Sequence, residues 1–295
     1  MEEKLEMNFT GERLVTKVFE YWTLEHLHRY AISTDFVKNK LVLDLASGEG
    51  YGSNLLSKYA HSVVGIDISE EAIKNSVIKY QRSNLKFLLG SAYKIPLESE
   101  SIDVVVSFET IEHHDQHEEM MSEVKRVLKN DGILIISSPD KKNYSDIPKY
   151  TNPYHVKELY TEEFHDLIKQ YFQYTYMLYQ KSIFGSIISS REINSNGLKE
   201  FIGNYSALDS FSQIQNPVYN ICIASQSSLQ DFQLNTNSIF FNNEIISNYI
   251  NANNELEVLK SKYIEVENVL NSNSYKLGRF FTYPIRSIKK YLQKA

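Results

Sequence analysis

The sequence predicts a doubly wound α/β domain with a mostly parallel sheet, followed by a helical tail, and three observations predict it. An apolar run, Leu41-Val42-Leu43, ends in Asp44 and passes into a small-residue turn carrying Gly48, Gly50 and Gly52. A helix-like pattern through Leu55 and Leu56 follows. Apolar, β-branched segments then alternate with amphipathic ones through five strands, ending near Pro139. Finally, the second strand closes on a carboxylate, Asp67, about 20 residues after the turn, the spacing at which an acid reaches a ribose diol across a switch point.

The turn discriminates between cofactors. A dinucleotide site presents bare amides to an anionic pyrophosphate at a helix N-terminus. Here Asp44 stands just before the turn and repels such a group, and the glycines are spaced GxGxG rather than GxGxxG. A cofactor with a cationic end suits it better.

Composition narrows the class. At 295 residues, 42% hydrophobic, the chain holds one large domain with additions. A net charge of −6 argues against bulk nucleic-acid binding. The single cysteine, Cys222, cannot form an internal disulfide. The start, MEEKLEMNF, lacks a basic-then-apolar signal pattern, and no apolar run approaches a membrane span. These features lead us to expect a cytoplasmic protein.

Before the first strand, Thr10-Gly11-Glu12-Arg13 reads as a turn and Glu20 to Ala31 as a helix with apolar Trp22, Leu27 and Tyr30. This helix either covers a sheet edge or closes over the cofactor, in which case Arg13 or Tyr21 touches it. The second strand spans Ser62 to Ile66, and Ser69-Glu70-Glu71 opens a helix from Ala72 to Arg82. Leu85 to Leu89 is the third strand, leading to Gly90-Ser91-Ala92. The fourth, Ile102 to Phe108, has the β-branched character of a central parallel strand and ends in Glu109-Thr110-Ile111-Glu112-His113-His114. A helix from His117 to Lys129 stops at Asn130-Asp131-Gly132, and the fifth strand is Ile133 to Ser137. After a lysine-bearing loop containing Asn152-Pro153-Tyr154-His155-Val156, a helix runs from Thr161 to Tyr171. Tyr174 to Gln180 is a sixth strand. An Asn/Ser/Gly-rich excursion of roughly 30 residues, the length of a lid or mobile loop, precedes a seventh, Val218 to Ala224.

The tail differs in composition. Tyr249, Ala252, Leu256, Leu259, Tyr263, Val266 and Leu270 recur at steps of three and four, a short heptad seam. Beyond Glu267 no acid occurs, and Lys276, Arg279, Arg286, Lys289, Lys290 and Lys294 share the end with aromatic and aliphatic residues. A basic amphipathic end is either a membrane-surface foot or a solvated terminus. The expected organisation is a helical cap (1–39), a cofactor-binding domain (40–227), a linker with a coiled-coil-like helix (228–272) and the basic tail (273–295).

Four motifs in order, LVLDLASGEGYGS, VVGIDIS, FLLGSAYKIPL, and SIDVVVSFETIEHH with GILIISSPD, resemble the core of class I S-adenosylmethionine (SAM) methyltransferases. The resemblance implies a seven-stranded sheet whose last strand runs antiparallel between the fifth and sixth. It implies SAM as cofactor, with Gly48 and Gly50 near the methionine portion, Asp44 near its ammonium group through water or amides, and Asp67 on the ribose. Ala46, Ile68, Ser91, Ala92 and Phe108 occupy the remaining cofactor-facing positions. Ala46 stands where many members have glycine, and Ser91 where an acid usually pairs with adenine. GERLV, LEHLHRYA, SFETIEHH and NPYHVKEL resemble bacterial methyltransferases of surface-polysaccharide clusters, and SNSYKLGRFFTYPIR resembles tails of polysaccharide-assembly enzymes.

A sugar hydroxyl is a poor nucleophile at neutral pH, so a general base is expected. His113 is the first choice and His155 the second, with Glu109 and Glu112 orienting the imidazole or binding hydroxyls. The run Glu112 to His117 offers metal ligands, but no second cluster with metal spacing accompanies it, and no metal is expected. The element after the fourth strand lacks the Pro-Pro-aromatic signature of base-modifying enzymes. The expected function is O-methylation of a sugar in a surface or lipid-linked glycan. Its alternatives are a lipophilic acceptor such as a quinone precursor, or a SAM-fold scaffold docking a glycan-assembly complex. The expected partners are the acceptor, a second copy or a glycosyltransferase through the heptad segment, and a membrane surface at the tail.

Overall fold

The structure is a computed structural model; it describes residues 13–17, 22–183, 200–203, 208–229, 238–240, 242–277 and 279. Two compact units make up the chain, Met1–Phe241 and Asn242–Ala295.

The first unit is organised by a seven-stranded sheet. Its strands are β1 (Leu41–Leu45), β2 (Ser62–Asp67), β3 (Leu85–Leu89), β4 (Ile102–Ser107), β5 (Leu128–Pro139), β6 (Tyr174–Gln180) and β9 (Tyr219–Ser225). Their order is β3-β2-β1-β4-β5-β9-β6. The first five are parallel, and β9 runs antiparallel to both β5 and β6. The reversal between β1 and β4 leaves a crevice at the carboxyl ends of the strands, where ligands of such folds bind.

Because successive strand residues face opposite sides, the sheet divides the core in two. Leu43, Leu45, Val105, Leu134 and Ile136 pack on α4 (His117–Val127) and α5 (Thr161–Tyr171) through Met120, Met121, Val124, Phe164 and Ile168. Val42, Val63, Val104, Val106, Ile133 and Ile135 pack on the side of α1 (Trp22–Ser33) and α2 (Tyr51–Leu56) through Tyr30 and Leu56. Helix α3 (Glu70–Lys79) is capped by Ser69, whose hydroxyl accepts from the Ala72 amide.

Four differences from the expected elements have physical causes. Helix α1 buries a polar face: Glu25, Arg29, Tyr30 and Ser33 point inward, while Trp22 is exposed. Helix α4 ends at Val127 because Leu128 already pairs with Ile102; a register shift before Val104 and Ile133 then absorbs Lys129 to Gly132 within β5. The last strand starts at Tyr219 rather than Val218 and ends at Ser225. Within the excursion before it lies an antiparallel hairpin, β7 (Glu200–Gly203) and β8 (Leu208–Phe211), that no periodicity announced.

The second unit contains α6 (Asn243–Asn271), 29 residues and about 44 Å long. Leu256, Leu259, Tyr263, Val266 and Leu270 of the heptad seam are all exposed. Arg286, Lys289, Lys290 and Lys294 of the expected basic foot lie outside the described residues, as does Tyr21. Among the described residues, no helix is long and apolar enough to cross a membrane.

Candidate active site

The turn after β1 is built around its backbone. Ala46, Gly48 and Gly50 have φ of 61°, 55° and 88°, the left-handed region. Ala46 tolerates it only at a cost of about 1 kcal/mol. The Gly48 amide donates to Asp67 Oδ2 at 2.8 Å, and the Ser69 amide donates to Oδ1 at 2.8 Å. A side chain at position 48 would meet no atom of the described residues within 4 Å of its Cβ. The turn and the β2 carboxylate therefore frame a gap that none of the described residues fills. Arg13 Nη2 lies 3.5 Å from Asp67 Oδ1, bringing the N-terminal segment to the same spot. Ile68, next to that carboxylate, is 62% exposed and offers an apolar face.

Other cofactor candidates are placed differently. Ser91 forms an isolated bridge with Lys94, and Ala92 packs against the core. Phe108 is buried edge-on against Tyr30, with ring centroids 5.1 Å apart. Asp44 lies beneath the turn, fully buried, and both its oxygens are taken: Tyr30 donates to Oδ1 at 3.1 Å and Ser53 to Oδ2 at 2.5 Å. Burial pushes its carboxyl up to about 6 against the lowering effect of these two hydroxyls. Both Asp44 oxygens are thus engaged within the fold.

Glu49, within the turn, is a contact the sequence reasoning missed. It is buried and accepts from the Thr16 amide, from Lys79 Nζ at 2.8 Å and from Tyr80, tying the N-terminal segment to α3.

Arg29 was missed too. Its guanidinium is buried between α1 and the sheet, donating from Nη1 to Glu109 Oε1 at 2.6 Å and lying 4.7 Å over the Tyr219 ring. Burial opposes its charge, but Glu109 and its other neighbours outweigh that and shift it net upward. Its Nε and Nη2 make no hydrogen bond among the described residues. Glu109 itself holds a φ of 51° and accepts from Ser137 Oγ at 2.6 Å. Glu25 and Arg29 stand one helical turn apart, a spacing that does not by itself tell water from sheet.

After Glu109 the chain makes a single 3-10 turn, Ile111–His113. Glu112 is 1% exposed and neither of its carboxylate oxygens has a hydrogen-bond partner among the described residues. Burial, reinforced by Glu109, pushes its carboxyl well up. Its backbone carbonyl accepts from the Val156 and Lys157 amides, and this pins the Asn152-to-Lys157 loop beside it. His113 Nδ1 contacts the Tyr154 carbonyl at 3.1 Å, and its Nε2 lies 4.0 Å from Glu112 Oε1. His155 Nδ1 contacts Glu158 Oε1 at 2.6 Å, and Nε2 contacts Asn152 Nδ2 at 3.0 Å. The two imidazoles meet edge to face at 5.1 Å. A cavity of about 600 Å³ opens beside them, lined by Lys141, Tyr150, Asn152, His155, Lys157 and Glu158. The structure therefore brings Glu112, His113 and His155 together from two chain segments, while Glu109 is engaged by Arg29 and Ser137, and His114, lowered to about 4 chiefly by burial, packs against His117.

Comparison with known proteins now bears on this geometry. Residues 43–136 match the family model described as "Methyltransferase domain". Over that stretch, about a third of its length, the chain is similar to a methyltransferase domain. A "Probable S-adenosylmethionine-dependent methyltransferase" of Mycolicibacterium smegmatis is 33% identical over 165 residues, covering 54% of this chain and 63% of that one. A similarly named protein of Mycobacterium tuberculosis is 31% identical over 167 residues, 55% of this chain and 60% of that one. A phthiotriol/phenolphthiotriol dimycocerosates methyltransferase of Mycobacterium leprae is 31% identical over 109 residues, 36% of this chain and 40% of that one. The match thus spans less than two thirds of these curated relatives. A solved structure from Bacillus halodurans, provisionally assigned as a methyltransferase, has a TM-score of 0.50 at 17% identity, over 69% of this chain and 100% of that one; it shows the fold.

The first two of these relatives are named as dependent on S-adenosylmethionine, SAM. The residues fit it: the open space over Gly48 lies next to a ribose-competent carboxylate, Asp67, with apolar Ile68 beside it.

Proposed function

We propose that the chain is a SAM-dependent O-methyltransferase whose acceptor is a hydroxyl of a surface or lipid-linked glycan. The observation that carries the methyltransferase half is the Gly48-to-Asp67 hydrogen bond beneath open space. Bound there, SAM supplies an electrophilic methyl group. Asp67 holds the ribose hydroxyls, Ile68 backs the adenine, and the Asp44 charge favours the cationic end. Positioning of the acceptor supplies much of the acceleration. The polar cluster of Glu112, His113 and His155, beside the cavity, takes up the hydroxyl proton. Of its two imidazoles, His113, in the 3-10 turn after β4, is the first choice for that role. The cavity's three lysines, Lys141, Lys149 and Lys157, suit an acceptor bearing phosphate or carboxylate groups. The relatives named for phthiotriol dimycocerosates favour a second reading, a lipid acceptor.

Incubation with labelled SAM and a fractionated cell-envelope pool, followed by mass analysis, separates the two acceptors. In parallel, Asp67→Ala should abolish SAM binding in calorimetry while the protein stays folded; unchanged affinity would remove the cofactor assignment.

For α6 we propose parallel pairing of two copies. With the seam facing inward, Glu255 of one helix faces Lys260 of the other and Lys262 faces Glu267, opposite in sign in both cases; all four are exposed. The basic end that follows would bring such a dimer to an anionic membrane surface, where lipid-linked acceptors reside.

A further inference from the structure

Glu112, His113 and His155 each place a ligand atom within 4.8 Å of the others. We propose that these three side chains form a site for a divalent transition-metal ion of the zinc class. Sequence spacing hid it, because the third ligand comes from a loop beyond β5 rather than from the histidine run itself.

Two independent observations support the site. First, Glu112 is 1% exposed and both its oxygens are without a hydrogen-bond partner among the described residues. A buried carboxylate left without partners is costly, and a cation beside it removes that cost. Second, both imidazoles are held from behind. His155 Nδ1 meets Glu158 Oε1 at 2.6 Å, and His113 Nδ1 meets the Tyr154 carbonyl at 3.1 Å. Metal-binding histidines are oriented in this way, by a carboxylate or backbone carbonyl on the far nitrogen, leaving Nε2 for the ion. His113 Nε2 already lies 4.0 Å from Glu112 Oε1.

The donor set selects the ion. Two imidazoles and one carboxylate suit zinc, cobalt or ferrous iron, whereas magnesium and calcium take oxygen ligands. Tetrahedral bonds of about 2.1 Å put ligand atoms about 3.4 Å apart. The 4.8 Å spread therefore closes by up to about 1.4 Å, and the Asn152 amide 3.0 Å from His155 Nε2 gives way. Three protein ligands leave a fourth position open, and the cavity borders His155. A hydroxyl bound at that position would be acidified by the ion and lose its proton to water, in place of direct uptake by the three side chains. That last step rests on the proposed methyl transfer; binding of the ion does not.

The test uses the full chain, stripped with chelator and titrated with Co²⁺ by visible absorption and with Zn²⁺ by calorimetry. One equivalent should bind, with d–d bands of four- or five-coordinate cobalt. His155→Ala and Glu112→Gln should each weaken binding roughly 100-fold, Glu158→Gln roughly tenfold, and His165→Ala, remote on α5, should leave it unchanged. Thermal melting and SAM affinity verify that each variant is folded, and His155→Ala serves if Glu112→Gln is not. Absence of saturable binding, or equal binding by wild type and folded His155→Ala, overturns the site. Metal binding without SAM binding would leave the site standing and remove the methyltransferase reading; the reverse result would do the opposite.

Discussion

Replacing Asp44 by asparagine should stabilise the protein at neutral pH while weakening its hold on SAM. The carboxylate is fully buried, and burial lifts it from an ordinary 3.8 to about 6 despite hydrogen bonds from Tyr30 and Ser53. A raised carboxyl destabilises the fold wherever it must be ionised. The cost is absent below pH 3.8, grows between 3.8 and about 6, and is complete above that. At about 1.4 kcal/mol per pH unit the difference amounts to about 3 kcal/mol, an upper figure because the structure can relax around the charge. An asparagine keeps an acceptor for one hydroxyl and offers its amide to the other, without the charge. Urea unfolding from pH 4 to pH 8 should therefore show the variant gaining on wild type by up to about 3 kcal/mol, with most of the gain between pH 4 and pH 6. SAM affinity of the variant at pH 8 should fall. Parallel stability curves across that range would refute the reasoning, because they would mean that Asp44 is not an unfavourable charge in the folded state.

Three further outcomes are expected. His113→Ala should keep SAM affinity within about threefold and lose about 10²–10⁴ in turnover; a fully active variant would take His113 out of the chemistry. Gly52→Ala should cost about 2–3 kcal/mol in chemical unfolding, because a Cβ there would lie 1.9 Å from the Tyr30 ring and displace the residue that donates to Asp44. Lys262→Glu should weaken self-association roughly tenfold in sedimentation equilibrium, and adding Glu267→Lys should restore it. Equal association by wild type and the single variant would leave α6 pairing in another register or with another partner.

The sheet was legible because its signals are local. Val104 to Val106 and Leu134 to Ile136 alternate faces within a few residues, and each strand end carries its own punctuation, Gly48 or Asp67. The meeting of the glycine turn with Asp67 was legible for the same reason: a turn and an acid at fixed spacing. Arg29 was not, because an i, i+4 acid–base pair on a helix has the same pattern whether it faces water or the sheet. The reach of His155 to Glu112 was also hidden, since the loop is pinned by two backbone amides on the Glu112 carbonyl, and backbone bonds leave no trace in residue type. The β7–β8 hairpin lacks strong alternation and a two-residue Gly turn, so neither rule for strands found it.

The charge balance at the end of β4 separates a working site from a packed core. Glu25, Glu109 and Glu112 sit near one buried cation, Arg29, whose Nε and Nη2 remain without hydrogen bonds among the described residues. Structural ion pairs tend to match donors to acceptors, because each mismatch costs about 1–3 kcal/mol. Here donors on Arg29 and acceptors on Glu112 are left over together, within one strand end, and Glu109 between them holds a left-handed backbone. Strain and unmatched polarity of this kind persist where a ligand repays them. A cation at Glu112 would repay one side of the imbalance, and an anionic group near Arg29 would repay the other. Both lie at the same end of the sheet as the glycine turn, so under the proposed function the residues least favourable to stability stand where the acceptor would bind.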